Sequence, residues 1–182
     1  MLKLLNILGI FILLSNPSFA EFSVDYANTS LVNNSYVLDA ELNFNLTEVA
    51  IEALQNGVSL PLVITVVIEH DRWYLWDKKI ITIRKSYELK YYALSRQYSL
   101  KNLTTGNQEN FPNLDAAINY LGRIKKLFLL KSNIITESID KYWVYLKIHL
   151  DIESLPVPLR PIAHLSSQWR LSSGWYSCPL QP

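Results

Sequence analysis

Leu60-Pro61-Leu62-Val63-Ile64-Thr65-Val66-Val67-Ile68 is an almost unbroken apolar run, rich in β-branched residues. That is the composition of a strand covered on both faces, so this segment predicts the central strand of the fold. Downstream of it, Ile81, Ile83, Tyr87, Leu89 and Tyr91 alternate with Thr82, Arg84, Ser86, Glu88 and Lys90. The period of two predicts a half-buried antiparallel strand over Ile80–Tyr92, in which Lys85 interrupts the apolar set. Arg96–Leu103 continues as a further strand, and Thr104-Thr105-Gly106-Asn107 turns the chain into Glu109–Phe111.

Upstream, Phe22–Val32 and Tyr36–Phe44 read as a hairpin joined by Asn33-Asn34-Ser35. A short helix follows, capped by Thr47, carrying Val49, Ala50, Ala53 and Leu54 at helical spacing, and stopped by Gly57. A second helix is expected from near Asn113. Its apolar stripe is Leu114, Ala117, Ile118, Leu121 and Ile124, opposite Asp115, Asn119, Arg123 and Lys126. Tyr142–Ile152 alternates again, with Tyr142, Val144, Leu146, Ile148, Leu150 and Ile152 inward. The three prolines of Leu155–Pro161 predict an extended passage, and Trp169–Tyr176 a last short edge strand. Hairpin connections dominate, which argues against a doubly wound parallel sheet. The expected fold is mainly β, a two-layer antiparallel β-sandwich-like domain with two short helices, with an α+β antiparallel sheet as the alternative.

The chain has 182 residues. Lys3 leads an uncharged run from Leu4 to Leu14, and Pro17-Ser18-Phe19-Ala20 suits cleavage before Glu21. Residues 1–20 therefore read as a cleavable signal peptide, residues 21–178 as one globular β-rich domain and residues 179–182 as a disordered tail. The expected location is the periplasm. Glu21 stands where a lipoprotein would carry cysteine, so no acyl anchor and no membrane span are expected in the mature chain. Of 17 Lys and Arg only Lys3 precedes residue 21, leaving 16 basic against 16 acidic residues. A formally neutral chain with only short basic runs such as Lys125-Lys126, read as a solvated helix end, gives no footprint for nucleic acid. Cys178 is the single cysteine, so no internal disulfide can form, and it reads as an incidental thiol in a mobile tail. Asn-x-Ser/Thr triplets at Asn28, Asn33, Asn45 and Asn102 read as chance beside a leader of bacterial type.

Catalytic and cofactor motifs are missing: no Gly-x-Ser-x-Gly, no His-Glu-x-x-His, no phosphate-cradling glycine loop and no paired cysteines. His70 lies between Glu69 and Asp71, but neighbours on a strand point to opposite faces and cannot join one metal site. His149 and Asp151 share a face and read as an exposed pair. The expectation is a non-enzymatic protein with no catalytic residue, no metal and no cofactor. Two aromatic stretches stand out, Arg72-Trp73-Tyr74-Leu75-Trp76-Asp77 and Trp169-Arg170-Leu171-Ser172-Ser173-Gly174-Trp175-Tyr176. Trp, Tyr and Arg dominate binding hot spots, so Trp73, Tyr74, Trp76 and Trp169 are the candidate binding residues, against the bland reading that they close the core. The expected partner is an envelope or inner-membrane protein. The alternative is a small-molecule or lipid-binding module with a pocket lined by Tyr87, Leu89, Tyr91 and Trp143. A hydrolase using His70 or His149 is the least favoured reading.

The chain resembles an exported proteobacterial family, the domain of unknown function numbered 4390. The residues that carry this are Glu52-Ala53-Leu54 with Gly57-Val58, the Arg72–Asp77 stretch, Leu89-Lys90-Tyr91-Tyr92-Ala93-Leu94-Ser95-Arg96-Gln97-Tyr98 and Phe111-Pro112-Asn113-Leu114-Asp115-Ala116-Ala117. Leu121-Gly122-Arg123, Leu150-Asp151, Leu155-Pro156-Val157-Pro158-Leu159 and Trp169–Trp175 continue it. The resemblance implies no activity and no catalytic residue. It implies an accessory role beside a membrane sensor kinase of the nitrogen-regulation type.

Overall fold

The computed structural model describes residues 21–71 and 78–182. The expected signal peptide and the candidates Trp73, Tyr74 and Trp76 lie outside the described residues. In chain order the elements are β1 (Phe22–Val32), β2 (Ser35–Phe44), α1 (Glu48–Gln55), β3 (Leu60–His70), β4 (Lys78–Tyr92), β5 (Gln97–Asn102) and β6 (Gln108–Phe111). There follow α2 (Leu114–Leu121), β7 (Arg123–Lys131), β8 (Tyr142–Leu150), α3 (Arg160–Leu165) and β9 (Tyr176–Pro179). The strands form two antiparallel sheets, one ordered β1-β2-β7 and the other β6-β5-β4-β3-β8-β9. The fold is mainly β and sandwich-like, as expected.

β3 is central in the larger sheet, between β4 and β8. Its Leu60, Leu62, Ile64, Val66 and Ile68 enter the core shared by both sheets, while Val63 and Val67 are buried on the opposite face. On that outer face their cross-strand neighbours are Ser86 and His149 for Val63, and Thr82 and Tyr145 for Val67. On this face the long side chains are those of β8, His149 beside Val63 and Tyr145 beside Val67, with Trp175 next to the latter. The β1–β2 hairpin turns through Asn33 and Asn34, both at positive φ, the geometry of the tight turn that matches strand twist. Thr47 caps α1 by accepting from Ala50 N at 3.2 Å, and Gly57 at φ +87° takes the left-handed position after it.

Four expectations are corrected. The second helix ends at Leu121, and Ile124 and Lys126 belong to β7, which pairs antiparallel with β2. Gly122 causes the break: Leu42 N donates to its carbonyl at 2.8 Å, and this approach of β2 leaves no room for a side chain. The segment after β8 is not extended. It folds into 3-10 turns at Ile152–Ser154 and Val157–Leu159 and then α3, a third short helix, with Arg160 Nε donating to Leu155 O at 2.8 Å. The last edge strand is Tyr176–Pro179 rather than Trp169–Tyr176, although Leu171 and Ser173 already bond along β8. The chain end is ordered rather than a loose tail. Leu180 is 2 % exposed and donates to Tyr142 O, and Gln181 N donates to Thr29 Oγ1 at 2.7 Å. Cys178 is buried within β9, opposite Val144, so its thiol is not poised to cross-link chains.

Candidate functional site

The two layers are shut along one side and open along the other. On the shut side β1 packs on β8 and β9, and Thr29 Oγ1 donates to Pro179 O at 3.1 Å. On the open side, α2 and β7 stand away from β4 and leave a cleft of about 940 Å³. Ile64 and Tyr87 form its floor, and Phe111, Tyr120, Ile124 and Leu127 line its sides. The Phe111 and Tyr120 rings pack at 5.1 Å between centroids. Burial, with the Tyr120 phenol as a lesser cause, raises the Tyr87 hydroxyl above the ordinary phenol range, so it stays protonated and available as a donor.

Four cations, Lys85, Arg123, Lys125 and Lys126, border this cleft, and among the described residues no carboxylate does. Lys85 reaches it because β4 alternates: Lys85 pairs with Ile64 and Tyr87 with Leu62, which puts both on the core-facing side. Lys125 and Lys126 reach it together because β7 bulges. One β2 residue, Asp39, stands opposite two β7 residues, Lys126 takes φ +48°, and its N–H is held by Asp39 Oδ1 at 2.9 Å. The sequence reading placed these lysines at a solvated helix end. Gly122 directly before the Arg123–Lys131 run was the signal that a strand begins there.

The residues singled out from sequence are dispersed. Trp169 is 4 % exposed, in a 3-10 turn beside α1, where Thr47 Oγ1 donates to Gln168 O at 2.9 Å; its indole fills the core and offers no contact surface. The exposed indole of that stretch is Trp175, at 55 %, with Lys147 Nζ 5.7 Å from its ring centroid. Tyr87, Leu89 and Tyr91 share the inner face of β4, with Leu89 fully buried and Tyr91 packed on Tyr98. Trp143 pairs with Glu69 on the outer face and cannot line a pocket with them. His70 is 6 % exposed, stacked on Tyr142, with Nε2 at 3.4 Å from Glu137 Oε2 at the edge of a second hollow of about 770 Å³. His149 titrates below the ordinary imidazole range, mainly through burial and then the charge of Lys147, and its Nδ1 has no hydrogen-bond partner among the described residues. Asp151 accepts instead from Arg84 at 2.8 Å and Ser154 at 3.1 Å. Among the described residues no group of three or more His, Cys, Asp or Glu could hold a metal ion, and no helix is long and apolar enough to cross a membrane.

Fold and cleft together define an antiparallel β-sandwich-like protein with a basic opening between its layers. Over residues 20–179 the chain matches the family described as Domain of unknown function (DUF4390), and it belongs to that family. No match is found among curated proteins or among solved structures.

Proposed function

We propose that this is an exported, non-enzymatic binding protein of the cell envelope, acting in the periplasm, and that it works through the cleft between its sheets. The observation that carries this reading is the cleft itself: it is of small-molecule size, apolar at its floor and rimmed by polar groups, the ordinary build of a ligand site. The signal-like leader supports the location. The implied association with a membrane sensor kinase supports an accessory role, in which ligand occupancy is what the partner reads. The test is native mass spectrometry of the mature chain recovered from envelope extracts. A bound mass that disappears in Ile124→Asp, with the fold retained by circular dichroism, is the expected result. An empty protein that also takes up no amphiphile added in vitro would remove the reading.

A second reading has its own observation. Trp175 is exposed beside Tyr145 and Val67 on the outer face of the larger sheet, on the opposite side of that sheet from the cleft. A protein partner docking there would lose affinity on Trp175→Ala while the occupancy of the cleft stayed unchanged.

A further inference from the structure

We propose that the cleft selects an anionic head group, so that its ligand is a single-chain amphiphile ending in a carboxylate or phosphate monoester, and that Lys85 receives that charge. This rests on the reading of the cleft as the binding site. Lys85 occupies an inward position of β4, in series with Ile81, Ile83, Tyr87 and Leu89, and its neighbour on β3 is Ile64 at 2 % exposure. Lys85 is itself half-buried, so its aliphatic stem lies along the inner face while its charged end borders the cleft. Among the described residues no carboxylate pairs with it.

The other cations sharpen the assignment. Arg123 and Lys125 also border a small depression that Asp39 and Glu41 line, so acidic neighbours stand beside them on the outward side of β2. Lys85 and Lys126 line the cleft without lining that depression, but Asp39 also accepts from the backbone N–H of Lys126, which leaves Lys85 as the cleft cation most removed from these acidic groups. A cleft whose described lining holds cations and no carboxylate, beside Ile64, Tyr87 and Leu127, is complementary to a molecule that is negative at one end and apolar along its length. The raised phenol of Tyr87, two residues along the same face, adds a neutral donor for an anionic oxygen.

The experiment is a calorimetric titration of the mature protein with four probes below their micellar concentrations: dodecanoate, dodecyl phosphate, neutral dodecyl maltoside and inorganic phosphate. Wild type, Lys85→Met and Lys85→Arg are compared, with Lys131→Gln, a charge removed outside the cleft, as control. The anionic chains should bind at least about tenfold more tightly than the neutral one, as expected for a charge-assisted hydrogen bond. Lys85→Met should erase that advantage without weakening the neutral probe, and Lys85→Arg and Lys131→Gln should keep it. The tighter of the two anionic chains identifies the head group. Equal binding of neutral and anionic chains, or a preference that survives Lys85→Met, overturns the inference while leaving the cleft as a ligand site. Inorganic phosphate binding as well as dodecyl phosphate overturns the amphiphile. If no chain binds at all, the reading of the cleft fails and the inference with it.

Discussion

Gly122→Ala tests the joint between α2 and β2 beside the cleft. Gly122 has φ −69°, so alanine meets no backbone penalty there, and loss of glycine's unfolded-state freedom alone would stabilise by about 0.4–1 kcal/mol. The added Cβ, however, falls well inside van der Waals contact of the Leu42 carbonyl oxygen and tight against that of Ile118. Both obstacles are backbone, and Leu42 is tied to Gly122 by its own N–H at 2.8 Å. One segment must retreat by about 1 Å, the kind of overpacking that costs about 1–3 kcal/mol. The net expectation is a loss of about 1–2 kcal/mol, which for a domain of this size lowers Tm by about 2–8 °C. Urea unfolding followed by tryptophan fluorescence measures it, with Gly106→Ala as a control whose cost is confined to its positive φ. A Gly122→Ala protein as stable as wild type would refute the close approach and, with it, the account of why the helix stops.

Three further outcomes follow from burial. Desolvation lifts the Cys178 thiol from 9.0 to about 11, so the native state holds the proton longer than the unfolded chain does. Its contribution is fully present below pH 9 and is lost as pH rises towards 11, so the difference in unfolding free energy between wild type and Cys178→Ala should shrink over that window, and a thiol reagent should react only at the rate of unfolding. His149 is shifted the other way, so its neutral form stabilises above the unfolded value of 6.5 and that stability declines as pH falls; His149→Gln should flatten the acid limb of the stability curve, which pH-dependent urea melts would show. Deleting Leu180–Pro182 removes a buried leucine and the bond to Tyr142 O, and should cost about 2–3 kcal/mol in the same melts, where a loose tail would cost nothing.

The strands with a clean period were legible. β3, β4 and β8 each bury the face that alternation or continuous apolarity assigned, and the Asn33-Asn34 and Gly57 positions carry the positive φ that their residue types favour. β7 was not legible because its bulges destroy the period: Leu129 and Leu130 are both buried and Lys125 and Lys126 both line the cleft, so neither a strand nor a helix template fits. The prolines of Leu155–Pro161 misled for another reason, since proline that cannot pair in a sheet is still well suited to the first turn of a helix. As for the site, the anomaly at Lys85 was visible in the sequence, but its meaning depended on a second layer whose edge strand was assigned to a helix. Aromatic content pointed to Trp169, and composition cannot separate an indole that anchors a partner from one that fills a core.

The bonds that shut the closed side of the sandwich join residues 150 and 152 positions apart, from Thr29 to Pro179 and from Gln181 to Thr29. The β1–β2 hairpin is local and can form early, but this side of the sandwich cannot be latched until the distant segment Pro179–Gln181 reaches Thr29. Such long-range closure is slow, and up to that moment the inner faces of both sheets remain accessible to other molecules. Closure of the sandwich on this side is thus a long-range event that couples β1 to the segment around β9, so a lesion at either end of it should loosen both layers together.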